Sequence, residues 1–415
     1  MKVLHVNISD KIGGAAIAAY RLNQALRQAG IDSQMLVCDK ISTDHSVIDP
    51  GAAVDKALIK LAIHLDRLPL RFSHVDDTFR ASLSAIASPL FARKINALEP
   101  DIVNLHWICD GVLRPEFLPR IKAPIVWTMH DPWPFCGSEN YVLKSTRYIE
   151  GYRRGNRLHG SSGPDLDRWM YRRKQRAYAK ANHITFVSPS RWLAEAAKKS
   201  ALLRDREVVC IPNGIDPNLF RPLGKRMARQ ILGLPEDKQI LLFGAVGGVA
   251  DKRKGFHLLT AALQELGQYV PSSQVMLTTY GGGDELEGCP IFESHNYGRL
   301  RDDISVVLAY AAADVFVIPS LIDNLPNTVL ESLACGTPVV GFDIGGMSDM
   351  VLHEQNGYLA APYDTQDLCN GIHYVLEHAK ANTQLAEHAR NTVLDTFTLR
   401  HQAKAYIELY QSLLA

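Results

Sequence analysis

The sequence lacks an excess of charge of either sign, and it lacks a long apolar run. Its 45 Lys and Arg residues nearly balance 44 Asp and Glu residues, so the formal net charge at pH 7 is +1. Because chains that bind nucleic acid carry a basic field, this balance predicts that nucleic acid is not a partner. No stretch has the roughly 20 apolar residues of a membrane-spanning helix. The first residues turn polar at His5, too early for a signal peptide, which predicts a cytoplasmic protein.

Cysteine is sparse, and several short catalytic motifs are missing. The seven cysteines are scattered and form no C-x-x-C pair, which argues against a disulfide framework and a structural zinc site. H-E-x-x-H, G-x-S-x-G and Walker A motifs are absent from the sequence. Residues 11–20 do not provide G-x-G-x-x-G, which weakens a dehydrogenase interpretation. Asp165 and Asp167 form a D-x-D but precede a helical pattern, so we interpret them as acids at a helix N-terminus.

Short β-rich runs alternate with helical patterns along the chain, and 47% of the residues are hydrophobic. This alternation predicts an α/β fold with doubly wound parallel sheets. The pattern restarts near residues 205–215, so we predict one domain over 1–207 and a second over 208–397. A final helix over 398–415 either caps the second domain or crosses back to the first. The predicted strands are residues 2–7, 34–38, 102–105, 125–129, 184–187, 208–211, 239–243, 275–279, 315–318 and 339–342.

Ligands bind beyond the carboxyl ends of the strands in such sheets, and the most polar candidate segment follows the predicted strand 315–318. It places Asp323 in a loop and Glu331 one or two turns into a short helix that Gly336 ends. A helix N-terminus suits a phosphate, and carboxylates accept hydrogen bonds from sugar hydroxyls. On spacing alone, an ordinary strand–loop–helix with a solvated Asp323 remains the simpler interpretation.

A basic segment, Asp251-Lys252-Arg253-Lys254-Gly255, follows the predicted strand 239–243 and a glycine-rich stretch over 244–248. Cations at this place in the fold can neutralise a diphosphate leaving group, as a metal ion does elsewhere. Taken alone, a basic loop on a solvated surface explains the segment better.

Two histidines follow strands of the first predicted domain. His106 ends the strand 102–105, and His130 with Asp131 ends the strand 125–129. Gly13 and Gly14 lie between the first strand and the first helix, where glycine lets the backbone approach a ligand closely. We expect these residues to line a cleft between the two domains, although a lone histidine is more often structural.

Together these segments resemble the family 4 retaining glycosyltransferases, which have the GT-B fold: two Rossmann-like domains that face each other across a cleft. Asp323 and Glu331 fall in the two acidic positions of that family's E-x7-E region. The sequence departs from the family at Asp323, where Glu is usual, and at 325–327, where Leu-Pro-Asn replaces Gly-Phe-Gly. The resemblance spans nearly the whole chain and is also carried, in order, by Gly13-Gly14, His130-Asp131, Ser188-Pro189-Ser190, Pro212-Asn213-Gly214-Ile215-Asp216, Lys254-Gly255-Phe256, Gly281-Gly282-Gly283 and Ala334-Cys335-Gly336-Thr337-Pro338.

The resemblance implies roles for the donor-binding residues of the second domain. Glu331 binds the nucleotide ribose, and Asp323 binds the donor sugar. Lys254 is the main diphosphate ligand, and Arg253 is a second one. Pro326 has no N–H to donate, so contacts to the sugar shift to the side chains of Asn327 and Thr328.

The resemblance also implies roles in the first domain. His130 contacts the sugar or positions the acceptor, with Asp131 in support and His106 nearby. Gly13 and Gly14 line the cleft close to the acceptor and the donor phosphate. The catalytic residues would then be His130, Asp323 and Lys254.

The implied function is a metal-independent, retaining glycosyltransferase that uses a UDP- or GDP-sugar as co-substrate and needs no cofactor. Its implied acceptor is a glycan or lipid-linked oligosaccharide in the assembly of bacterial exopolysaccharide, colanic acid or O-antigen. A nucleotide-sugar epimerase of GT-B fold and a non-catalytic nucleotide-sugar-binding protein stay open as alternatives.

Residues 144–180 hold eleven Lys or Arg and three acidic residues, a local net charge of +8. Aromatic residues are interleaved with the basic ones. Such a surface can dock on anionic lipid headgroups at the inner face of the cytoplasmic membrane. A solvated helix face explains the composition equally well.

Overall fold

The computed structural model describes residues 1–51, 53–73, 81–87, 89–244, 251–282, 291–381 and 384–415. The chain divides into two compact units, Met1–Pro212 with Gln402–Ala415, and Asn213–His401. Each unit is built on a parallel β-sheet with α-helices packed against it. This is the doubly wound α/β architecture that the alternating pattern predicts.

In the first unit, the described residues form a sheet of seven parallel strands in the order β3-β2-β1-β4-β5-β6-β7. The strands are β1 (Lys2–Ser9), β2 (Asp32–Asp39), β3 (Val47–Ile48), β4 (Ile102–Leu105), β5 (Ile125–Thr128), β6 (Ile184–Ser188) and β7 (Val208–Cys210). The helices described in this unit are α1 (Gly14–Gln28), α2 (Ala53–Asp66), α3 (Pro89–Ala97), α4 (Arg147–Glu150), α5 (Leu166–Tyr178) and α6 (Arg191–Lys199).

In the second unit, the described residues form a sheet of six parallel strands in the order β10-β9-β8-β11-β12-β13. The strands are β8 (Gln239–Gly244), β9 (Val275–Tyr280), β10 (Glu293–Asn296), β11 (Val315–Ile318), β12 (Val339–Phe342) and β13 (Gly357–Ala360). The helices described in this unit are α7 (Lys225–Leu232), α8 (Phe256–Leu266), α9 (Asp303–Ala312), α10 (Asn327–Ala334), α11 (Thr365–Ala381) and α12 (Gln384–Thr396), and α13 (Leu399–Leu414) begins there.

The central strands of the second sheet bury both of their faces. Along β11, Phe316 and Ile318 join one apolar cluster with side chains of α9, α10 and α12. Val315 and Val317 point to the opposite face and join a second cluster with α8 and α11. Side chains alternate between the faces of a strand, so a sheet covered on both faces requires a continuous apolar run. Each fully buried side chain of this size contributes about 1.5–3 kcal/mol.

The first compact unit ends a few residues beyond the predicted domain boundary at 207. Val208–Cys210, predicted to start the second domain, pairs in parallel with β6 of the first sheet. The first unit therefore extends to Pro212. The sequence of an edge strand does not indicate which of two sheets the strand joins.

The C-terminal residues Gln402–Ala415 belong to the first unit. In α13, Tyr406 and Tyr410 are fully buried. The hydroxyl of Tyr406 lies 2.8 Å from Thr128 Oγ1, and Asn104 Nδ2 donates to the hydroxyl of Tyr410 at 2.7 Å. The helix therefore attaches to the strand ends of β4 and β5 through hydrogen bonds as well as through apolar burial.

Lys174 supports the loop that follows β5. This residue of α5 is fully buried, and its Nζ donates to the carbonyl oxygens of Trp133, Cys136 and Gly137. The same Nζ lies 3.5 Å from the centre of the Trp133 ring, a cation–π contact. Burial lowers the pKa of Lys174 to about 7. The loop is thus held in place by one internal amine.

We predict that Lys174 makes stability depend on pH above neutrality. Between pH 7.5 and 9.5 the unfolded chain keeps the proton on Lys174, whose ordinary pKa is about 10.4, while the folded chain releases it. Stability rises with pH where the unfolded state binds more protons. The free energy of unfolding of the wild type should therefore rise relative to that of Lys174→Met, by up to about 1.4 kcal/mol per pH unit.

Urea unfolding at several pH values measures this difference, and Lys180→Met, at an exposed position, is the control that should show no such trend. A difference between wild type and Lys174→Met that stays constant or falls with pH would show that Lys174 keeps its proton in the folded chain.

Candidate active site

In the second unit, an acidic and two basic side chains meet at the carboxyl ends of β8 and β11. Lys254 Nζ lies 2.6 Å from Asp323 Oδ2, and Arg253 Nη1 lies 3.8 Å from Asp323 Oδ1. The three side chains are only 13–16% exposed. The sequence predicted each residue separately, and the structure brings them together as one group.

The backbone explains why Lys254 lies over Asp323. Lys252–Lys254 forms one turn of 3-10 helix, and Gly255 ends it with a left-handed φ of 72°. A Cβ atom on Gly255 would lie 1.8 Å from the carbonyl oxygen of Pro319, so this close approach requires glycine. Leu321 N also donates to the carbonyl of Arg253 at 2.8 Å. The basic turn is therefore fixed against the loop that carries Asp323.

Asp323 is an anion held by its neighbours. Burial alone would raise its pKa, but the charges of Lys254 and Arg253 outweigh that effect, and its pKa is lowered. Ser320 Oγ adds a hydrogen bond to Asp323 Oδ2 at 3.1 Å. Arg253 is itself held by Asp251, at 3.1 Å between Nη2 and Oδ2. At neutral pH the group therefore holds one buried carboxylate between two cations.

Glu331 lies on α10, in the second turn of the helix, and is buried at 7% exposure. The hydroxyl of Tyr310 donates to Glu331 Oε2 at 3.4 Å, and that hydroxyl also lies 2.6 Å from the hydroxyl of Tyr280. The interpretation in which Asp323 is an ordinary solvated acid is wrong, since both acids are largely removed from water.

The first turn of α10 carries the other predicted donor-binding residues. Pro326 precedes the helix, Asn327 is its first residue, and Thr328 is its second. Asn213 Nδ2 donates to Asn327 Oδ1 at 3.3 Å, so the Pro212-Asn213-Gly214 turn contacts the same helix end. Both polar side chains lie between Asp323 and Glu331 along the chain.

In the first unit, three histidines form a hydrogen-bonded row, which we call the histidine row. His106 Nδ1 lies 3.0 Å from His130 Nε2, and His5 Nδ1 lies 2.9 Å from His106 Nε2. Burial lowers the pKa of His5 to about 3 and that of His130 to about 4, and it holds the pKa of His106 well below its usual value. All three rings are therefore neutral at pH 7.

Sequence analysis did not identify His5. It lies inside β1, where its burial gives no polar signal at a strand end. Only the order of the strands in the structure reveals it, because β1 pairs with β4 and His5 stands opposite Asn104, two residues before His106.

Asp131 fixes the loop that begins at His130. Its Oδ2 accepts hydrogen bonds from Trp107 Nε1 at 2.9 Å and from Asn140 Nδ2 at 2.8 Å. Its Oδ1 accepts from the backbone N–H of Trp133 at 2.9 Å. These contacts give Asp131 a supporting role for the loop.

The predicted glycine loop lies at the start of α1. Gly13 has a φ of 88° and directly precedes the helix, whose first residue is Gly14. A Cβ on Gly13 would meet no atom of the described structure within 4 Å. The predicted stretches over 245–248 and at Gly283 lie outside the described residues.

The basic segment 144–180 does not form one continuous basic surface. Arg147 is buried and pairs with Asp165 at 2.7 Å and with Asp167 at 3.6 Å. Arg173 is buried against Glu116 at 2.6 Å, and Lys174 is internal. Exposed basic side chains in the segment include Arg153, Arg154, Arg172 and Arg176.

The two acids of the D-x-D sequence serve the fold. Asp165 caps α5 by accepting from the backbone N–H of Arg168 at 3.0 Å, which confirms the interpretation of this acid as a helix N-terminal residue. Within the described ranges, no group of three or more His, Cys, Asp or Glu residues is arranged to hold a metal ion. No helix in the described part of the chain has the length and apolar composition needed to cross a membrane.

Curated proteins similar to this chain are named as glycosyltransferases. D-inositol 3-phosphate glycosyltransferase 2 of Catenulispora acidiphila is 30% identical over 195 residues, which are 43% of this chain and 44% of that protein. D-inositol 3-phosphate glycosyltransferase of Paenarthrobacter aurescens is 23% identical over 416 residues, which are 96% of this chain and 93% of that protein. In the matches to the relatives from C. acidiphila and Stackebrandtia nassauensis, the chain spans about half of their length, 44% and 48%.

Solved structures share the fold over the whole chain. Sucrose-phosphate synthase from Thermosynechococcus elongatus has a TM-score of 0.68 at 20% identity, with 99% of this chain and 98% of that chain covered. HepE from Anabaena, in complex with UDP and glucose, has a TM-score of 0.66 at 18% identity, with 99% and 100% covered. These likenesses, with the two parallel sheets, establish the GT-B fold predicted from the resemblance.

Two family patterns match the chain, one in each half. The pattern described as Glycosyl transferases group 1 matches residues 240–378. The pattern described as Glycosyltransferase Family 4 matches residues 12–219, which is half of the chain. The chain belongs to glycosyltransferase family 4.

Proposed function

We propose that this chain transfers a sugar, with retention at the anomeric carbon, from a nucleotide-diphosphate sugar to an acceptor. The observation that carries the proposal is the buried group of Lys254, Arg253 and Asp323, followed eight residues later by the buried Glu331. Two cations beside a carboxylate suit a ligand that has both a diphosphate and sugar hydroxyls. Similar folds bind such ligands: HepE is described with UDP and glucose, and the pneumococcal O-GlcNAc transferase GtfA with UDP and GlcNAc.

Binding of the donor would replace the contacts between Asp323 and the two cations with contacts to the donor. Its diphosphate takes Lys254 and Arg253 and stabilises the charge that develops on the leaving group. Asp323, released from Lys254, accepts hydrogen bonds from sugar hydroxyls, and Glu331 accepts those of the ribose. Two protein cations then supply the charge that a metal ion supplies in other transferases, so we propose a metal-independent reaction.

Asp323 also fits a retaining transferase without a dedicated protein base. Its short side chain is held by Ser320 and two cations, so it is a weak base with a lowered pKa. Oxygen of the departing diphosphate would instead assist deprotonation of the acceptor on the same face of the sugar. Asn327 and Thr328 at the start of α10 would complete the sugar site.

We assign the acceptor to the first unit, where His130 ends the histidine row and Gly13 precedes α1. The acceptor predicted from the resemblance is a lipid-linked glycan of bacterial surface polysaccharide, but the names of the curated relatives do not support that role. Those names favour an inositol phosphate as a second candidate. The peripheral membrane contact predicted for 144–180 now depends on exposed arginines such as Arg153, Arg154, Arg172 and Arg176.

Loss of Glu331 should strongly reduce donor turnover. The assay is release of nucleoside diphosphate from a panel of UDP-, GDP- and TDP-sugars in the presence of EDTA. Since hydrogen bonds to a charged group are worth about 1.5–3 kcal/mol each, Glu331→Ala should lower kcat/KM for the donor by roughly 100-fold or more. Glu377→Ala, at an exposed position on α11, is the matched control and should behave like the wild type.

Thermal melts in the presence of each donor separate the alternatives. Stabilisation by one donor without release, even when acceptors are added, would identify a non-catalytic binding protein. Turnover of the donor into an isomeric sugar would identify an epimerase. Neither release nor stabilisation by any donor would contradict the site.

Lys254→Met should act mainly on the chemical step. The charge that Lys254 neutralises grows as the diphosphate departs, so kcat should fall roughly 100- to 1,000-fold, with a smaller change in KM. Lys252→Met removes an exposed lysine from the same turn and should leave kcat within about twofold of wild type. EDTA should change none of these values. A strong requirement for an added divalent cation would contradict the charge assignment.

A further inference from the structure

Two buried tyrosines lie next to Glu331 in the second unit, and we call them the tyrosine pair. Tyr280 is the last residue of β9, and Tyr310 lies in the last turn of α9. Their hydroxyl oxygens are 2.6 Å apart, and the hydroxyl of Tyr310 donates to Glu331 Oε2 at 3.4 Å. The proposed site therefore continues inward from Glu331 into the core of the unit.

The chemistry of the three groups sets the direction of both hydrogen bonds. As a carboxylate, Glu331 only accepts, and each phenol has one proton to donate. Burial raises the pKa of Tyr280 and the pKa of Tyr310 above the ordinary value, so both phenols keep their protons at neutral pH. Tyr310 therefore donates to Glu331 and accepts from Tyr280. Hydrogen bonds in such a series polarise one another.

Packing holds the tyrosine pair in one place. The two rings meet edge to face with centres 6.1 Å apart, and Tyr310 makes a second edge-to-face contact with Phe316 at 5.3 Å. Thr337 Oγ1 donates to the backbone carbonyl of Tyr310 at 2.8 Å. A Cβ atom on Gly244 would lie 2.0 Å from Cε1 of Tyr280, so the glycine makes room for this ring. The Tyr310 hydroxyl is thus presented to Glu331 from a fixed position.

We propose that Tyr310, supported by Tyr280, is a positioning residue that orients Glu331 for the hydroxyls of the nucleotide ribose. A carboxylate has about four acceptor positions on its two oxygens, so Glu331 can accept from Tyr310 and from a ribose at the same time. The hydrogen bond at Oε2 restricts the carboxylate before the nucleotide binds, which lowers the entropy lost on binding. This inference rests on the proposed function, which assigns the ribose to Glu331.

The positioning role predicts a specific loss of ribose recognition. The diphosphate is assigned to Lys254 and Arg253, which lie on a different loop of the unit from the tyrosine pair. Removal of the Tyr310 hydroxyl should therefore weaken the ribose contact and leave the diphosphate contacts in place. A nucleotide without the 2′-hydroxyl has less to lose from this change. The ratio of the two affinities consequently separates positioning from general damage to the fold.

Calorimetric titration with UDP, GDP and their 2′-deoxy counterparts measures this ratio. The wild type should bind the ribose form about tenfold more tightly than the deoxy form. Tyr310→Phe should reduce this preference about fivefold, and Tyr280→Phe should reduce it about twofold, because it removes only the second donor of the series. Tyr269→Phe, at a position that is 64% exposed, is the matched control and should keep the wild-type preference.

A double-mutant comparison shows whether the effect of Tyr310 passes through Glu331. Glu331→Ala should itself remove most of the preference for ribose. In that background, Tyr310→Phe should change the preference no further, because residues that act through one contact are not additive. With a donor that is turned over, Tyr310→Phe should raise KM about fivefold and change kcat less than about twofold, as expected for a contact present before and during the reaction.

Each outcome decides the proposal. Equal weakening of the ribose and deoxy forms by Tyr310→Phe would indicate a purely structural role and overturn it. A stronger preference would also overturn it, since Tyr310 would then compete with the ribose. If Tyr310→Phe does not fold, an unchanged preference in Tyr280→Phe overturns it. A wild type that binds no nucleoside diphosphate would contradict the proposed function and the positioning role together, whereas a failure confined to the tyrosine variants leaves the function standing.

Discussion

The ion pair between Lys254 and Asp323 is the interaction on which the site proposed in the second unit depends. A carboxylate buried between Lys254 and Arg253 is stable only because the cations offset its desolvation. The glycine at 255 and the hydrogen bond from Leu321 to Arg253 hold the two loops at the distance that this pair requires. A ligand entering the site must replace each partner with an equivalent one. In the proposed function a diphosphate sugar would do so, because its phosphates would replace Asp323 at Lys254 and its hydroxyls would replace Lys254 at Asp323.

The first unit also buries polar side chains, but the three histidines of the histidine row are neutral. Burial would penalise charged imidazoles, and the histidine row avoids this by sharing protons among neutral rings. Lys174 and Asp131 hold the following loop by hydrogen bonds to its backbone. The hydrogen bond with His106 and the support of the following loop give His130 a defined orientation within the unit.

Much of the fold was predictable because strands buried on both faces need continuous apolar runs. The predicted strands 102–105, 315–318 and 339–342 agree with β4, β11 and β12 at both ends. The strand Glu293–Asn296 was missed, because it lies at an edge of the sheet and is polar and mostly exposed. The two-residue strand Val47–Ile48 is too short for any periodic pattern. The first compact unit extends beyond residue 207 because Val208–Cys210 completes the first sheet.

Some features of the candidate site could be predicted from the local sequence, whereas others depend on contacts between residues far apart in the chain. Asp323 in its loop and Glu331 in its helix follow from local sequence, and the structure agrees with both placements. The pairing of Lys254 with Asp323 joins residues 69 positions apart, so only the family resemblance linked them. His5 was invisible because its role depends on which strands are neighbours. The burial of Arg147 and Arg173 shows that a count of basic residues does not locate a basic surface.

The exchange of partners at Lys254 is tested most directly by the affinity for a nucleoside diphosphate that carries no sugar. Calorimetric titration would compare the wild type with Asp323→Asn and with Asp343→Asn, an exposed control. The nucleoside diphosphate has nothing to offer Asp323, so removing that charge should free Lys254 and tighten binding about tenfold, or about 1.4 kcal/mol. Turnover of the complete donor should nevertheless be lost. An Asp323→Asn variant that binds the nucleoside diphosphate no more tightly than wild type would contradict the exchange.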